Sequence, residues 1–188
     1  LTALGAKVEI EAGLGLSCGH SDTDYEQTGA VVRTDRATMI QGADIIVQVR
    51  KPALSDVELM REGAVCIALL DPFQSPELIQ ALAQRGVSAI SLEMVPRSTR
   101  AQKMDVLSSQ ASLAGYAAVI AAAGQSGKIF PMMMTPAGTI KPVKVFIIGA
   151  GVAGLQAIAT AKRLGAKVEA FDTRPVVRSE ERRVGKEG

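Results

Sequence analysis

Gly149, Gly151 and Gly154 stand in the spacing G-x-G-x-x-G within VFIIGAGVAGLQAIATAKRLGAKVEAFD. Residues 143–148, just before them, are apolar except for Lys144 and read as a strand; residues 152–164 read as a helix and residues 167–171 as a second strand. A glycine turn in that setting is suited to holding a diphosphate. The first glycine permits the tight turn, the second lets backbone approach a pyrophosphate with no Cβ in the way, and the third lets helix and strand pack closely. The N–H groups opening the helix, near Val152 and Ala153, then face the anion without help from a charged side chain. Asp172 ends the second strand at about the 20-residue offset of an acid that reads a ribose. A carboxylate there accepts from both ribose hydroxyls and repels a 2′-phosphate, which favours NAD over NADP. Arg174, two residues on, is the group that could pair with such a phosphate instead. A glycine-rich strand-to-helix turn with no ligand is the alternative.

A second constellation lies in RSTRAQKMDVLSSQASLAGYAAVI. Asp105, Ser108, Ser112 and Tyr116 recur at helical spacing, on one face of a long helix placed at about residues 99–124 whose other positions are mostly Ala, Leu, Val and Met. A simply solvated face would carry Lys and Glu, so this one needs partners. It is either a polar seam against a neighbouring domain, or a site where Arg97, Gln102, Asp105 and Ser108 surround a nicotinamide ring. In that site Gln and Ser reach the carboxamide, and the Arg/Asp pair fixes geometry.

The elements that must position these groups alternate strand and helix, the pattern of a parallel α/β fold. Residues 8–10, 45–49, 65–70 and 87–92 read as four parallel strands. Helices are expected at 55–60 and 76–85, with Ser55 and Ser75 as N-caps, Pro76 in the first turn and Gly86 as the stop. The tips Arg50-Lys51-Pro52 and Asp71-Pro72-Phe73 would border a ligand crevice. Residues 131–142, PMMMTPAGTIKP, read as an interdomain connection. The fold class is therefore α/β, with two Rossmann-like, doubly wound parallel-sheet domains, the second truncated. Residues 1–130 form an N-terminal domain missing its first elements, and residues 131–177 the first half of an NAD-binding domain. Residues 178–188 are an abruptly charged tail outside the fold, read as non-native.

Composition removes other function classes. With 21 Lys+Arg against 19 Asp+Glu, no global field draws nucleic acid. Cys18 and Cys66 share no metal-ligand spacing, so no metal is expected; both read as small apolar fillers in a reducing compartment. The longest apolar run, residues 111–123, falls short of the roughly 18 to 20 residues that cross a bilayer. Met132, Met133 and Met134 are expected to pack within the connection, Tyr116 to be buried with its hydroxyl bonded, and His20 to lie on the surface.

RSTRAQKMDVLSSQASLAGYAAVI, FPMMMTPAGTIKPVKVFIIGAGVAGLQAIATAKRLGA and AFDTRP together closely resemble the alpha subunit of proton-translocating NAD(P) transhydrogenase, from Leu1 to about Val177. The resemblance implies a peripheral NAD(H)-binding component at the cytoplasmic face of the bacterial inner membrane. It would pass hydride between NADH and NADP+ held by a separate beta subunit, coupled to proton movement through a membrane domain, and would work as a homodimer. It puts Arg97, Gln102, Asp105 and Ser108 at the nicotinamide, with Ser98, Thr99 and Arg100 also on the cofactor. Gly149, Gly151, Val152, Gly154, Asp172, Thr173 and Arg174 fall on the adenosine and pyrophosphate side. It also implies a strand and helix before Leu1 and further strands after Pro175. Alanine dehydrogenase shares the fold and is the alternative enzyme. It needs a Lys for its carboxylate substrate and a His for proton transfer, whereas the matching tips here carry Gln48 and no His beside Asp71. A fragment binding NAD weakly or not at all is the non-enzyme alternative.

Overall fold

A computed structural model describes residues 1–174; the expectations for residues 175–188, the charged tail included, lie outside the described residues. The chain divides into two compact units, Leu1–Pro96 and Arg97–Gly188.

In the first unit, β1 (Glu9–Glu11) pairs in parallel with β2 (Val31–Arg33), and β3 (Ile45–Val47), β4 (Val65–Ala68) and β5 (Ser88–Ser91) form a parallel sheet in that order. Helices α1 (Asp22–Gln27), α2 (Arg36–Gly42), α3 (Leu54–Leu59) and α4 (Pro76–Gln84) connect them. There are thus five strands here, not four. β2 escapes the sequence pattern because three residues wedged between two short helices carry too little periodicity to read. The core gathers Ile40, Val57, Met60, Cys66, Leu78 and Leu82 around β4, whose residues alternate between half-buried and fully buried.

Capping differs in detail from expectation. Ala53 caps α3 without a side-chain bond, so Ser55 lies inside that helix. Ser75 does precede α4, but its hydroxyl accepts from Lys51 Nζ at 2.7 Å rather than capping. Pro76 opens α4 and Gly86, at φ 70°, follows its end. Beyond β4 the chain turns at Asp71, a non-glycine residue with φ 49°. Glu93 holds that turn: its carboxylate accepts from the N–H groups of Leu70 and Asp71 and from the Ser91 hydroxyl.

In the second unit, α5 (Val106–Gln125) is followed by an antiparallel hairpin of β6 (Met133–Thr135) and β7 (Gly138–Ile140). Then come β8 (Lys144–Ile148), α6 (Val152–Arg163) and β9 (Lys167–Phe171), with β8 and β9 parallel and Ile148 opposite Phe171. Val145, Ile147, Val168 and Ala170 turn one sheet face onto Ile158 and Ala161 of α6. Phe146, Ile148 and Phe171 occupy the other face and are exposed.

Several expectations give way here. The long helix starts at Val106, because Asp105 is its N-cap and residues Gln102–Met104 form a separate 3-10 turn. Residues 131–142 are not a bare connection but carry the hairpin, and Met132, just before it, and Met133 and Met134 on β6 are exposed rather than packed. Tyr116 is half-exposed and Cys18 exposed, while Cys66 is fully buried and its thiol pKa is raised by that burial. His20 is exposed. α5, uncharged over its 20 residues and reaching a mean hydropathy of 1.4 over an 18-residue stretch, is long and apolar enough to cross a membrane by length and composition. The polar residues of its first turns shorten the apolar run without adding charge. α5 packs along α6, and the compact units part before it, at Pro96.

Candidate functional site

The strand-to-helix turn of the second unit depends on glycine at two points for different reasons. Gly149 adopts φ +90°, a region side chains avoid. A Cβ on Gly154 would sit 1.8 Å from the Gly149 carbonyl oxygen, so β8 and α6 can approach this closely only without one. α6 takes Gly151 as its N-cap, with no side-chain acceptor, and its first backbone bond runs from Leu155 N–H to the Gly151 carbonyl at 2.8 Å. The N–H groups of Val152, Ala153 and Gly154 precede that bond and have no intrahelical acceptor. They open at the positive end of a 12-residue helix dipole, where an anion is stabilised.

Asp172 stands directly after β9, beside this turn. Its Oδ2 accepts from Ala150 N–H at 2.7 Å and Arg174 Nη2 at 3.0 Å; its Oδ1 accepts from Arg174 N–H at 2.8 Å and Arg174 Nε at 3.0 Å. The Arg174 guanidinium, then the Arg174 and Ala150 N–H groups, hold the carboxyl well below the usual carboxylate range, so it is an anion at neutral pH. Gly149, Gly151, Val152, Gly154, Asp172 and Arg174 are thus brought together, with Thr173 exposed between the last two. Sequence reasoning missed the Ala150 N–H, which is what ties the carboxylate to the turn.

The second group is organised differently. Asp105 caps α5, accepting from Ser108 N–H at 2.9 Å and from Ser108 Oγ at 2.7 Å. The Ser108 hydroxyl is the main cause of a lowered Asp105 pKa, with Arg97 adding a smaller electrostatic pull. Asp105 is therefore a fixed, ionised acceptor rather than a proton donor. Arg97, Ser98, Thr99 and Arg100 form an exposed loop ahead of it, where Ser98 Oγ accepts from Ala101 N–H at 3.4 Å. Gln102 is exposed at the start of the 3-10 turn, Ser112 is half-buried on α5, and Tyr116 stands further out.

Helices α5 and α6 meet backbone to backbone. A Cβ on Gly115 of α5 would lie 2.1 Å from the carbonyl oxygen of Ala153, in the first turn of α6. Gly115 also went unnoticed in the sequence, although a glycine inside an Ala-rich helix lowers helix stability by about 1 kcal/mol and so usually marks a packing need.

The cradle fits a dinucleotide: a turn built on three glycines with the Ala150 methyl buried beneath it, helix amides without an intrahelical acceptor and one ionised carboxylate at the tip of the next strand. No cluster of His, Cys, Asp and Glu suited to a metal occurs among the described residues.

Comparisons with known proteins agree with that geometry. Residues 1–114 match the family model described as alanine dehydrogenase/PNT, N-terminal domain, and residues 118–187 the corresponding C-terminal domain. The NAD(P) transhydrogenase subunit alpha of Cereibacter sphaeroides is 43% identical over 187 residues, covering 100% of this chain and 36% of that protein. A solved transhydrogenase from Sinorhizobium meliloti superposes with a TM-score of 0.93 at 50% identity, covering 98% of this chain and 55% of the other. An alanine dehydrogenase of Bacillus subtilis is more distant, 31% identical over 92% of this chain and 45% of that protein. The chain thus spans about half or less of the length of these relatives. With both domain models matched in order, this chain belongs to the alanine dehydrogenase/PNT family.

Proposed function

We propose that this chain is the NAD(H)-binding part of a proton-translocating NAD(P) transhydrogenase, in which hydride passes directly between NADH and NADP+ held on a separate component. The observation that carries this reading is the glycine turn, whose bare helix amides stand beside an ionised Asp172. The amides of Val152, Ala153 and Gly154 would hold the pyrophosphate and Asp172 the adenosine ribose. Arg97, Gln102, Asp105 and Ser108, with Ser98, Thr99 and Arg100, would orient the nicotinamide side. The nicotinamide supplies the hydride chemistry; the protein's task is alignment and exclusion of water.

The acid–base groups that oxidative deamination requires are poorly supplied. Gln48 donates to the Arg50 carbonyl at 2.9 Å, and Lys51 is engaged by the Ser75 hydroxyl and by Asp71. His20, the single histidine of the sequence, packs edge-on against Tyr25 in an exposed loop. Together with the higher identity to transhydrogenase subunits than to alanine dehydrogenase, this favours direct transfer between two nicotinamides. The implied partners are an NADP(H)-binding beta subunit, a membrane domain and a second copy of this polypeptide, at the cytoplasmic face of a bacterial inner membrane.

The test is hydride transfer from NADH to an NADP analogue by the natural full-length gene product with its partner subunit. Gln102→Asn and Asp105→Asn are each expected to slow it about tenfold or more, one misplaced contact at a reacting geometry. Pyruvate with ammonia should support no NADH oxidation; robust turnover of that pair would establish the amino-acid dehydrogenase instead.

A further inference from the structure

The near-balance of charge over the whole chain conceals a division. Leu1–Pro96 carries 7 Lys+Arg against 13 Asp+Glu, whereas residues 97–174 carry 10 against 3. Of those three carboxylates, Asp105 heads α5, Asp172 follows β9 and Glu169 lies midway along β9. Six cations gather at the pole opposite the glycine turn. Lys144 and Lys167 open β8 and β9 as direct neighbours in the sheet, and Lys162 and Arg163 lie in the last turn of α6. Lys128 lines the same open groove, of about 500 Å³, as Arg163. Lys141 belongs to this pole because Val143 N–H donates to the Phe130 carbonyl at 3.2 Å, which draws the two ends of the hairpin together. None of the six forms an ion pair among the described residues. The negative end of the α6 dipole offsets the charge of Lys162 and Arg163. Lys144 beside Lys167 has no such offset, and like charges directly opposite weaken a sheet.

Apolar groups share that pole in the open: Ile129, Met132 and Met134 are 45%, 64% and 84% exposed. We propose that the pole is a docking surface for an anionic phospholipid bilayer, with its lysines against the headgroups and Ile129 and the hairpin methionines dipping among them. This goes beyond the cofactor reading and does not depend on it. Composition favours a bilayer over an acidic protein. Five of the six cations are Lys, which is depleted at protein interfaces in favour of Arg and aromatic rings, and Phe130, the ring in their midst, is buried. An ammonium on a flexible stem suits a fluid array of phosphates, whereas a mated partner exploits the fixed fork of Arg. Clusters of roughly four to eight Lys and Arg are what anionic membrane surfaces attract, and each cation near the surface strengthens binding about fivefold. Apolar side chains at the headgroup boundary add to that attraction. Docked by this end, the glycine turn stands off the lipid by the five residues of β8, about 16 Å, and stays open to a nucleotide.

The experiment is co-sedimentation of the 188-residue chain with vesicles of phosphatidylcholine alone and of phosphatidylcholine mixed equally with phosphatidylglycerol, at low and at high sodium chloride. The chain should bind the mixed vesicles only, and salt should release it as the screening length shortens. Lys144→Gln with Lys167→Gln should weaken that binding about 25-fold, and Lys128→Gln with Lys141→Gln, which leaves β8 and β9 untouched, by a similar factor. Met134→Ser should cost less than either pair. Titration with NADH should give the same affinity in every variant, since none touches the glycine turn, and circular dichroism melts verify the fold of each. The docking surface is overturned if the chain ignores phosphatidylglycerol, binds phosphatidylcholine equally well, or binds mixed vesicles undiminished in both folded double variants. Salt-sensitive self-association without lipid, lost in the same variants and competing with vesicles, also overturns it, and would assign the pole to the acidic first unit of a second copy. Vesicle binding as expected from a chain that takes up no NADH supports the docking surface and removes the cofactor reading alone.

Discussion

Each unit brings a carboxylate from one strand's end onto backbone N–H groups at the tip of its neighbour, with opposite results. In the first, Glu93 follows β5 and caps the N–H groups of Leu70 and Asp71, with Ser91 as an additional donor. In the second, Asp172 follows β9 and takes the Ala150 N–H, but shares its charge with an exposed arginine, and the helix amides just beyond stay bare. The first tip is closed by its own anion; the second keeps room for one from outside. What separates them is local chain composition. Three glycines take up the positive φ and the close approach of the second turn, whereas the first runs Leu70-Asp71-Pro72 and forces a non-glycine residue to φ 49°.

The sharpest way to break this contrast is Gly154→Ala. Its Cβ would meet a backbone carbonyl that cannot rotate away, so the second unit should lose about 3 kcal/mol or more and NADH binding should vanish, read by denaturant unfolding and titration. Glu93→Gln comes next. At neutral pH it should destabilise the first unit by about 1 to 2 kcal/mol, because two backbone donors lose a charged acceptor, while leaving the α6 turn intact. Burial pushes the Glu93 carboxyl up, but the hydrogen bonds from Ser91 and the backbone outweigh it and the net shift is downward from 4.5. The stabilisation is therefore complete above that unfolded-chain value and disappears as pH falls through the lower folded-state value. Urea melts between neutral pH and pH 3 should show an acid limb that Glu93→Gln flattens; an unchanged limb would remove Glu93 as its cause. The smallest effect belongs to Asp71→Gly, which relieves the positive φ and should be neutral or stabilising by less than about 1 kcal/mol, measured by thermal melts. A large loss there would mean that the Lys51 contact, not Glu93, holds the tip.

Local grammar made the glycine turn and its flanking strand readable. Strand, turn, helix and strand follow one another in 30 or so residues, and the βαβ unit constrains each by its neighbours. β9 falls on residues 167–171 as the sequence indicates, and α6 ends within a residue of its expected stop. Features decided by tertiary approach were not readable. β2 exists because β1 lies beside it, and Ala150 matters because Asp172 reaches back to it across 22 residues. The start of α5 was misplaced for another reason. An Asp followed three residues later by Ser looks like continuing helix face, yet Asp is better spent as a cap on the Ser108 N–H.

The contact of Gly115 with the Ala153 carbonyl also fixes a spacing. Ser108 precedes Gly115 by seven residues, about 10 Å along the α5 axis. The groups at the head of α5 and the amides at the head of α6 are consequently held like the two jaws of a calliper. Their separation is set by touching main chains, which neither rotate nor repack, rather than by side chains that could adapt to a longer or shorter ligand.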